Sequence, residues 1–181
     1  MKIEDLAPKE WQKRPQVLLL PQIPKPMHGL NPRTILGKEW WDKTRKEAYA
    51  STDYHCIACG VYRDQAKKVK WLEGHEVYET QYKLGKLVYI ETVPLCHYCH
   101  NYIHKGRLEA LLKKREITHN KFSAVIQHGD QVISEAGLQP TPPYKGKMPK
   151  WADWRLVLLG IEYEPRFSSQ KEWSKHYGVG G

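Results

Sequence analysis

The chain has 181 residues, of which 40 % are hydrophobic and 27 % charged. These values are typical of a globular domain, and no apolar run is long enough to span a bilayer. The excess of 29 Lys and Arg over 20 Asp and Glu gives a formal net charge of +9, which favours a polyanionic partner over a surface that is basic for solubility alone. We expect a cytoplasmic protein without a secretory signal or membrane association, whose partner is nucleic acid; the oligomeric state stays open.

Proline is unevenly distributed along the chain. Six of the twelve prolines precede residue 33, four lie within 140–149, and Pro94 alone lies between Arg33 and Gln139. Proline favours extended segments and is rare inside helices and sheets. The distribution predicts an extended N-terminal arm over 1–33, a folded domain over 34–138 and a C-terminal extension over 139–181. The arm either packs on the body or reaches a partner.

The first element predicted in chain order is a helix over Lys38–Ala50. Trp41, Ala48 and Tyr49 recur there at helical spacing, and basic residues occupy the other face. Core packing is the expected role of the paired tryptophans at 40 and 41. The first cysteine pair then follows, closed by Gly60.

A β-hairpin is predicted next, because two short runs are rich in β-forming residues. These runs are Val69–Leu72 and Leu87–Ile90, and the irregular stretch between them contains Gly74 and Gly85. The pattern therefore predicts a long hairpin loop. Trp71 is expected in the core, although its ring could also stack on a nucleic-acid base.

The remaining sequence predicts helices, followed by a small β/α tail. Gly106 should end or bend the first of these helices. In the tail, two strands are expected around Gly160, and a capping box at Ser169–Glu172 predicts a short helix ending near Gly178. The predicted helices are His97–Lys105, Arg107–Glu116 and Lys121–Ala136.

All four cysteines occur in Cys-x-x-Cys pairs, Cys56 with Cys59 and Cys96 with Cys99. Disulfides are disfavoured inside cells, and two such pairs can supply the four ligands of a tetrahedral zinc ion. A redox dithiol and free thiols are the alternatives. We expect structural Zn²⁺, because four thiolates leave no open position for catalysis.

Three histidines form a second candidate site. His100 and His104 lie one helical turn apart, so both can bind one divalent ion, and closure of the hairpin could bring His75 over them. Alternatively, His100 could replace a cysteine as a zinc ligand, and His104 could be an ordinary surface residue, as could His97. For the other five histidines we expect structural or surface roles: His28, His55, His119, His128 and His176.

The order of these motifs resembles the HNH endonucleases of the ββα-metal, or His-metal finger, superfamily in their zinc-knuckle form. The resemblance lies in Cys56–Cys59, Leu72–His75 and Pro94–His100, under a third of the chain, while Gly29–Trp41 resembles the lead-in of bacterial and phage HNH-like proteins. It implies an α+β fold with a zinc-stabilised ββα-metal core and flanking helices, besides the N-terminal arm and the C-terminal β/α extension. It also implies a bacterial or phage-encoded protein.

The resemblance further implies a metal-dependent endonuclease or nickase that hydrolyses phosphodiester bonds, with double-stranded DNA as the expected substrate. His75 corresponds to the general base that takes a proton from water, and His100 and His104 correspond to ligands of a catalytic ion, Mg²⁺ or another divalent cation. This catalytic ion is distinct from the structural zinc.

Two positions depart from the family pattern. Gly74 stands where many relatives have a metal-binding Asp or His, and Glu91 is nearest to a position where many have Asn. Glu73 or Glu76 could supply the missing ligand, or His75 could itself bind the metal. The departures also allow a catalytically inactive zinc-finger protein that binds nucleic acid.

Basic residues near these motifs are candidate phosphate contacts, although each could equally belong to a solvated face. A protein-interaction adaptor would account for the zinc but not for the charge. The candidate nucleic-acid-binding residues are Lys67, Lys68, Lys70, Lys105 and Arg107.

Overall fold

The structure is a computed structural model that describes residues 11–178. The acidic first residues and the first third of the predicted arm lie outside the described residues. Within the described part the chain forms five α-helices and one four-stranded sheet, as expected of an α+β protein. None of these helices has the length and apolar content needed to cross a membrane.

The chain divides into two compact units, each built from separate segments of the sequence. Unit 1 comprises residues up to 18, 47–74 and 94–138, and unit 2 comprises 19–46, 75–93 and 139 onwards. The three-part division suggested by proline stays a prediction.

The sheet has the strand order β1-β2-β3-β4, with β1 at Glu73–Gln81, β2 at Lys86–Leu95, β3 at Arg155–Leu158 and β4 at Ile161–Tyr163, and most of its residues belong to unit 2. The hairpin of β1 and β2 confirms the predicted pair of strands, but two details are wrong. β1 begins after the run 69–72, and a short turn at 82–85 replaces the long loop. Residues 73–81 pair with β2 despite their polar composition, because cross-strand packing decides strand formation more than propensity does.

β3 lies parallel to β2 and antiparallel to β4. Leu87 is paired with Leu156, and both are buried with Met27 and Trp154 in the core of unit 2. Met27 has no exposed surface, so this part of the predicted arm packs into the body. It does so through two short 3-10 helices, Pro15–Leu19 and Lys25–Met27, instead of a fully extended chain.

The helix at the end of unit 2, α5, spans Gln170–Tyr177 and confirms the predicted short helix, with Ser169 as its N-cap residue. The Ser169 hydroxyl accepts a hydrogen bond from the Glu172 amide, and the Glu172 carboxylate accepts one from the Ser168 amide. Gly178 ends the helix with a φ of 64°, a left-handed conformation that glycine adopts at little cost.

The helix α1 spans Pro32–Ala50 and is interrupted at Gly37, whose φ of 85° and ψ of 174° are not helical. Beyond that break, Trp41 and Ala48 are buried, as their spacing predicts. Glycine tolerates this left-handed conformation because it lacks a Cβ atom.

Three helices build the second half of unit 1: α2 at His97–Ile103, α3 at Lys105–Lys113 and α4 at His119–Glu135. The bend between α2 and α3 falls at His104, two residues before the glycine predicted to cause it. Close packing of α4 on α2 is possible because Gly129 faces Tyr102. A Cβ at position 129 would lie 2.0 Å from the Tyr102 ring.

Candidate metal centre

The first cysteine pair lies in a tight backbone turn of unit 1. The Gly60 amide donates to the Cys56 carbonyl at 2.8 Å, and the Cys56 amide donates to the Val61 carbonyl at 2.9 Å. Gly60 closes this turn with a φ of +78°, which a residue with a Cβ rarely adopts. The loop therefore brings Cys56 and Cys59 together from local sequence alone.

The second cysteine pair begins helix α2. Cys96 is the N-cap residue and its carbonyl accepts from the His100 amide at 2.9 Å, while Cys99 lies in the first turn. The Ile57 amide donates to the Pro94 carbonyl at 2.9 Å, a hydrogen bond that joins the two cysteine turns. These contacts bring the first cysteine turn to the start of α2.

The four sulfur atoms lie within 4.8 Å of one another, and Sγ of Cys59 is 3.8 Å from Sγ of Cys96. A disulfide would require about 2.05 Å. A tetrahedral zinc ion with Zn–S bonds of about 2.3 Å separates its sulfur ligands by about 3.8 Å. The arrangement therefore fits a metal ion held by Cys56, Cys59, Cys96 and Cys99, and zinc is the natural candidate for such a site.

The electrostatics of the thiols support this interpretation. Contacts with Cys56 and Cys59 raise the pKa of Cys96 and of Cys99 well above the usual range, because several thiolates repel one another when they are this close. A divalent cation removes that repulsion. Nε2 of His128, on α4, also lies 3.3 Å from Sγ of Cys99, so an imidazole N–H can stabilise the thiolate.

The second candidate site contains His75, His100 and His104. One ligand nitrogen of each histidine lies within 4.8 Å of the others. His75 is the third residue of β1. His100 lies in α2, one helical turn before the bend at His104. The predicted convergence of these residues is therefore present, and the three nitrogens are close enough to bind one ion.

Glu73 connects β1 to the first turn of α2. Its Oε1 accepts a hydrogen bond from Nδ1 of His97 at 2.7 Å, and its Oε2 accepts one from Nδ1 of His100 at 2.5 Å. Burial alone would raise the pKa of Glu73, but the bonds from His100 and His97 outweigh it and lower the pKa. Glu73 is therefore an anion at neutral pH and accepts both bonds as such.

His104 is electrostatically suited to act as a neutral ligand. Burial lowers the pKa of His104 to about 4, and electrostatic interactions with His100 and Arg107 add to this. The imidazole is therefore uncharged at neutral pH, and only an uncharged imidazole has a lone pair for a metal ion.

The remaining residues predicted for the site are not part of the three-histidine cluster. Glu76 follows His75 directly in β1, so it lies on the opposite face of the strand, whereas Glu73 shares the face of His75. Trp71 is 59 % exposed, which contradicts its expected place in the core. The five candidate phosphate contacts are all exposed: Lys67, Lys68, Lys70, Lys105 and Arg107.

Sequence reasoning missed two contacts at these sites. No partner was predicted for His97, which could have been an ordinary surface residue, or for His128, for which a structural or surface role was expected; His97 bonds Glu73 and His128 contacts Cys99. The position of His97 inside the second Cys-x-x-Cys pair was a usable signal. His128 lies 29 residues from Cys99, and no local pattern announces a contact of that separation.

These features define an α+β protein with a four-cysteine cluster and a histidine cluster, each of which could hold a metal ion. No protein-family model, curated protein or solved structure gives a significant match to the chain. The likeness to HNH endonucleases therefore rests on the residues themselves.

Proposed function

We propose that this protein is a metal-dependent endonuclease of the HNH type that hydrolyses phosphodiester bonds in DNA. The observation that carries the proposal is the convergence of His75, His100 and His104, whose ligand nitrogens lie within 4.8 Å of one another. They are presented by a β-hairpin and a following helix that starts at a tetrathiolate site. This ββα order is the one that the HNH resemblance implies.

His100 and His104 would hold the catalytic ion, and Zn²⁺ would occupy the cysteines. When bound, a divalent ion stabilises the negative charge that develops at the phosphate and the leaving oxygen. Imidazole ligands suit transition metals better than Mg²⁺, which prefers oxygen. We therefore expect Mn²⁺ to support activity at lower concentration than Mg²⁺.

His75 would act as the general base that takes a proton from the attacking water. The side chain is 6 % exposed and is held by a strand, so its position is restricted. A neutral imidazole can take a proton from water, which is the step that a general base performs. Alternatively, His75 is a third metal ligand. Substitution of His75 would then weaken metal binding, whereas substitution of a residue that acts only as a base would leave the metal affinity unchanged.

Glu73 would act as a positioning residue and not as a direct ligand. Because Nδ1 of His100 donates to Glu73, a metal ion at His100 would be bound through Nε2. A carboxylate on the far nitrogen of a metal-binding histidine fixes the ring and strengthens it as a ligand. Glu73 would in this way compensate for Gly74, which has no side chain to offer.

The charge of the molecule supports a nucleic-acid substrate. The formal net charge is +9, and exposed basic residues precede β1 and begin α3. Arg107 is close enough to His104 to lower its pKa, so a phosphate near the site would meet a positive charge. Such contacts attract the phosphate backbone irrespective of sequence.

The test is cleavage of supercoiled plasmid by the zinc-loaded full chain. We expect conversion to nicked or linear forms with Mn²⁺ or Mg²⁺, and none when the added divalent ion is omitted. Both His75→Ala and His75→Gln should abolish cleavage while zinc content and melting temperature are retained. His119→Ala, at an exposed position in α4, is the matched control and should cleave normally.

Unchanged cleavage by the His75 variants would refute the assigned base. If the wild-type chain binds DNA but cleaves no nucleic acid under any divalent ion, the second candidate holds, a zinc-stabilised nucleic-acid-binding protein without catalysis. One observation favours that candidate: Gly74 leaves the strand without the ligand that many HNH enzymes have there.

A further inference from the structure

The segment immediately before β1 exposes an aromatic side chain among lysines. Trp71 is 59 % exposed, whereas the next residue, Leu72, is 4 % exposed and anchors the chain in unit 1. Lys67, Lys68 and Lys70 are exposed as well, and no acidic residue interrupts the segment. Burial of an aromatic side chain is favourable in free energy, and an exposed ring does not contribute that stabilisation. A ligand that covers the ring would bury it and gain this free energy on binding.

The backbone of this segment is held in an unusual conformation. The Val69 amide donates to the Lys67 carbonyl at 3.0 Å, which closes a three-residue turn around Lys68. Lys68 has a φ of 76°, in the left-handed region that lysine rarely adopts. Such strained turns concentrate at functional sites. Three lysines and the tryptophan lie within the five residues 67–71 that contain this turn.

This segment lies next to the candidate metal site. Trp71 is two residues before Glu73, which limits the separation of their Cα atoms to about 7 Å. The Glu73 carboxylate in turn accepts the hydrogen bond from His100. A nucleic-acid strand stacked on the indole would therefore pass close to the histidines.

We propose that Lys67–Trp71 binds the nucleic-acid strand beside the metal-binding histidines, with Trp71 stacked on an unpaired base and the lysines on the flanking phosphates. In a duplex both faces of each base are covered by neighbouring bases. An indole platform therefore selects single-stranded, frayed or flipped nucleotides. The inference rests on the proposed function for its substrate class and adds a preference for unpaired bases, but binding can be measured without cleavage.

The experiment is fluorescence anisotropy with a labelled oligonucleotide, single-stranded or annealed to its complement, using the zinc-loaded full chain without added Mg²⁺ or Mn²⁺. Trp71→Ala should weaken single-strand binding by about 5- to 150-fold, the range expected when one base loses its stacking partner, and duplex binding much less. Trp71→Phe should restore most of the affinity. Leu159→Ala removes a 66 % exposed apolar side chain in the β3–β4 turn and should change neither.

The lysines have a separate signature. Replacing Lys67, Lys68 and Lys70 together by Gln should reduce the salt dependence of single-strand binding, by about 0.7 in the log–log slope for each phosphate that is no longer neutralised. Trp71→Ala should leave that slope unchanged. Equal affinities of wild type and Trp71→Ala for the single strand would overturn the proposal, as would equal reductions in affinity for single strand and duplex.

Failure of this inference and failure of the proposed function are distinguishable. Trp71-dependent binding in a chain that never cleaves would retain the binding site and reject the endonuclease. Cleavage that is unchanged by Trp71→Ala would retain the endonuclease and reject the binding site at Trp71. Absence of any nucleic-acid binding would reject both.

Discussion

Nδ1 of His100 lies 2.5 Å from Oε2 of Glu73, and this bond determines which ring nitrogen faces the candidate ion. With the Nδ1 proton donated to a carboxylate, the imidazole has its metal-binding lone pair on Nε2. The same carboxylate accepts from His97, so one anion orients two rings of the first turn of α2.

Glu73→Gln should weaken divalent-ion binding at the histidines by about 10- to 100-fold, the usual cost of removing an outer carboxylate. The amide is nearly the same size but provides no negative charge to the two imidazoles. Calorimetry with Mn²⁺ on the zinc-loaded protein measures the effect, and zinc content should not change. Glu76→Gln, one strand position beyond His75 and on the other face, is the matched control. A reduced affinity in that control alone would contradict the assignment.

Cys56→Ser should abolish stoichiometric zinc binding and lower the melting temperature, because Cys56 is fully buried and a hydroxyl is a poor zinc ligand. Elemental analysis of the purified chain and thermal melting by circular dichroism measure the two effects. A zinc chelator should destabilise the wild type in the same way. A Cys56→Ser chain as stable as the wild type and without zinc would refute a structural metal.

Gly129→Ala should destabilise the protein by about 1–3 kcal/mol, the typical cost of overpacking, because the new Cβ would lie 2.0 Å from the Tyr102 ring. Chemical denaturation measures the free energy of unfolding. Gly106→Ala provides the control, since its Cβ meets nothing within 4 Å and its helical backbone accepts alanine. That variant should be unchanged or stabilised by up to about 1 kcal/mol. Equal effects of both substitutions would contradict the close packing of α4 on α2.

Acidification should weaken unit 2 through His28. Nδ1 of His28 accepts from the Trp173 indole at 3.2 Å, and Nε2 donates to the Ile23 carbonyl at 3.0 Å, so the ring is bound in its neutral form. Burial lowers the pKa of His28, and the charge of Lys25 adds to this.

The folded pKa of His28 is below the unfolded value of about 6.5, so the unfolded chain takes up the proton first. The stabilisation is complete above pH 6.5 and declines as the pH falls below it. Between pH 7.5 and 5.5 the melting temperature of the wild type should fall further than that of His28→Gln. An identical fall in both would reject this linkage.

The parts of the structure that follow from local sequence were predictable. The two cysteines of each pair come together because they lie in one local turn. The N-cap of α5 likewise forms within a few consecutive residues. The start of β1 was not predictable. Val69–Trp71 contains β-forming residues, but the chain turns at Lys68 immediately before them and the strand begins only at Glu73. The bonds of Glu73 to His97 and His100 span 24 and 27 residues, so only the folded chain reveals them.

The parallel pairing of Leu87 with Leu156 has a consequence for biosynthesis. During translation at roughly 5–20 residues per second, the edge of β2 waits about 3–14 s for its partner strand to be made. Throughout that interval an apolar, unpaired edge is open to other nascent chains. Production at low temperature or with abundant holdase chaperones should raise the soluble yield, and a fragment ending before β3 should collect in inclusion bodies.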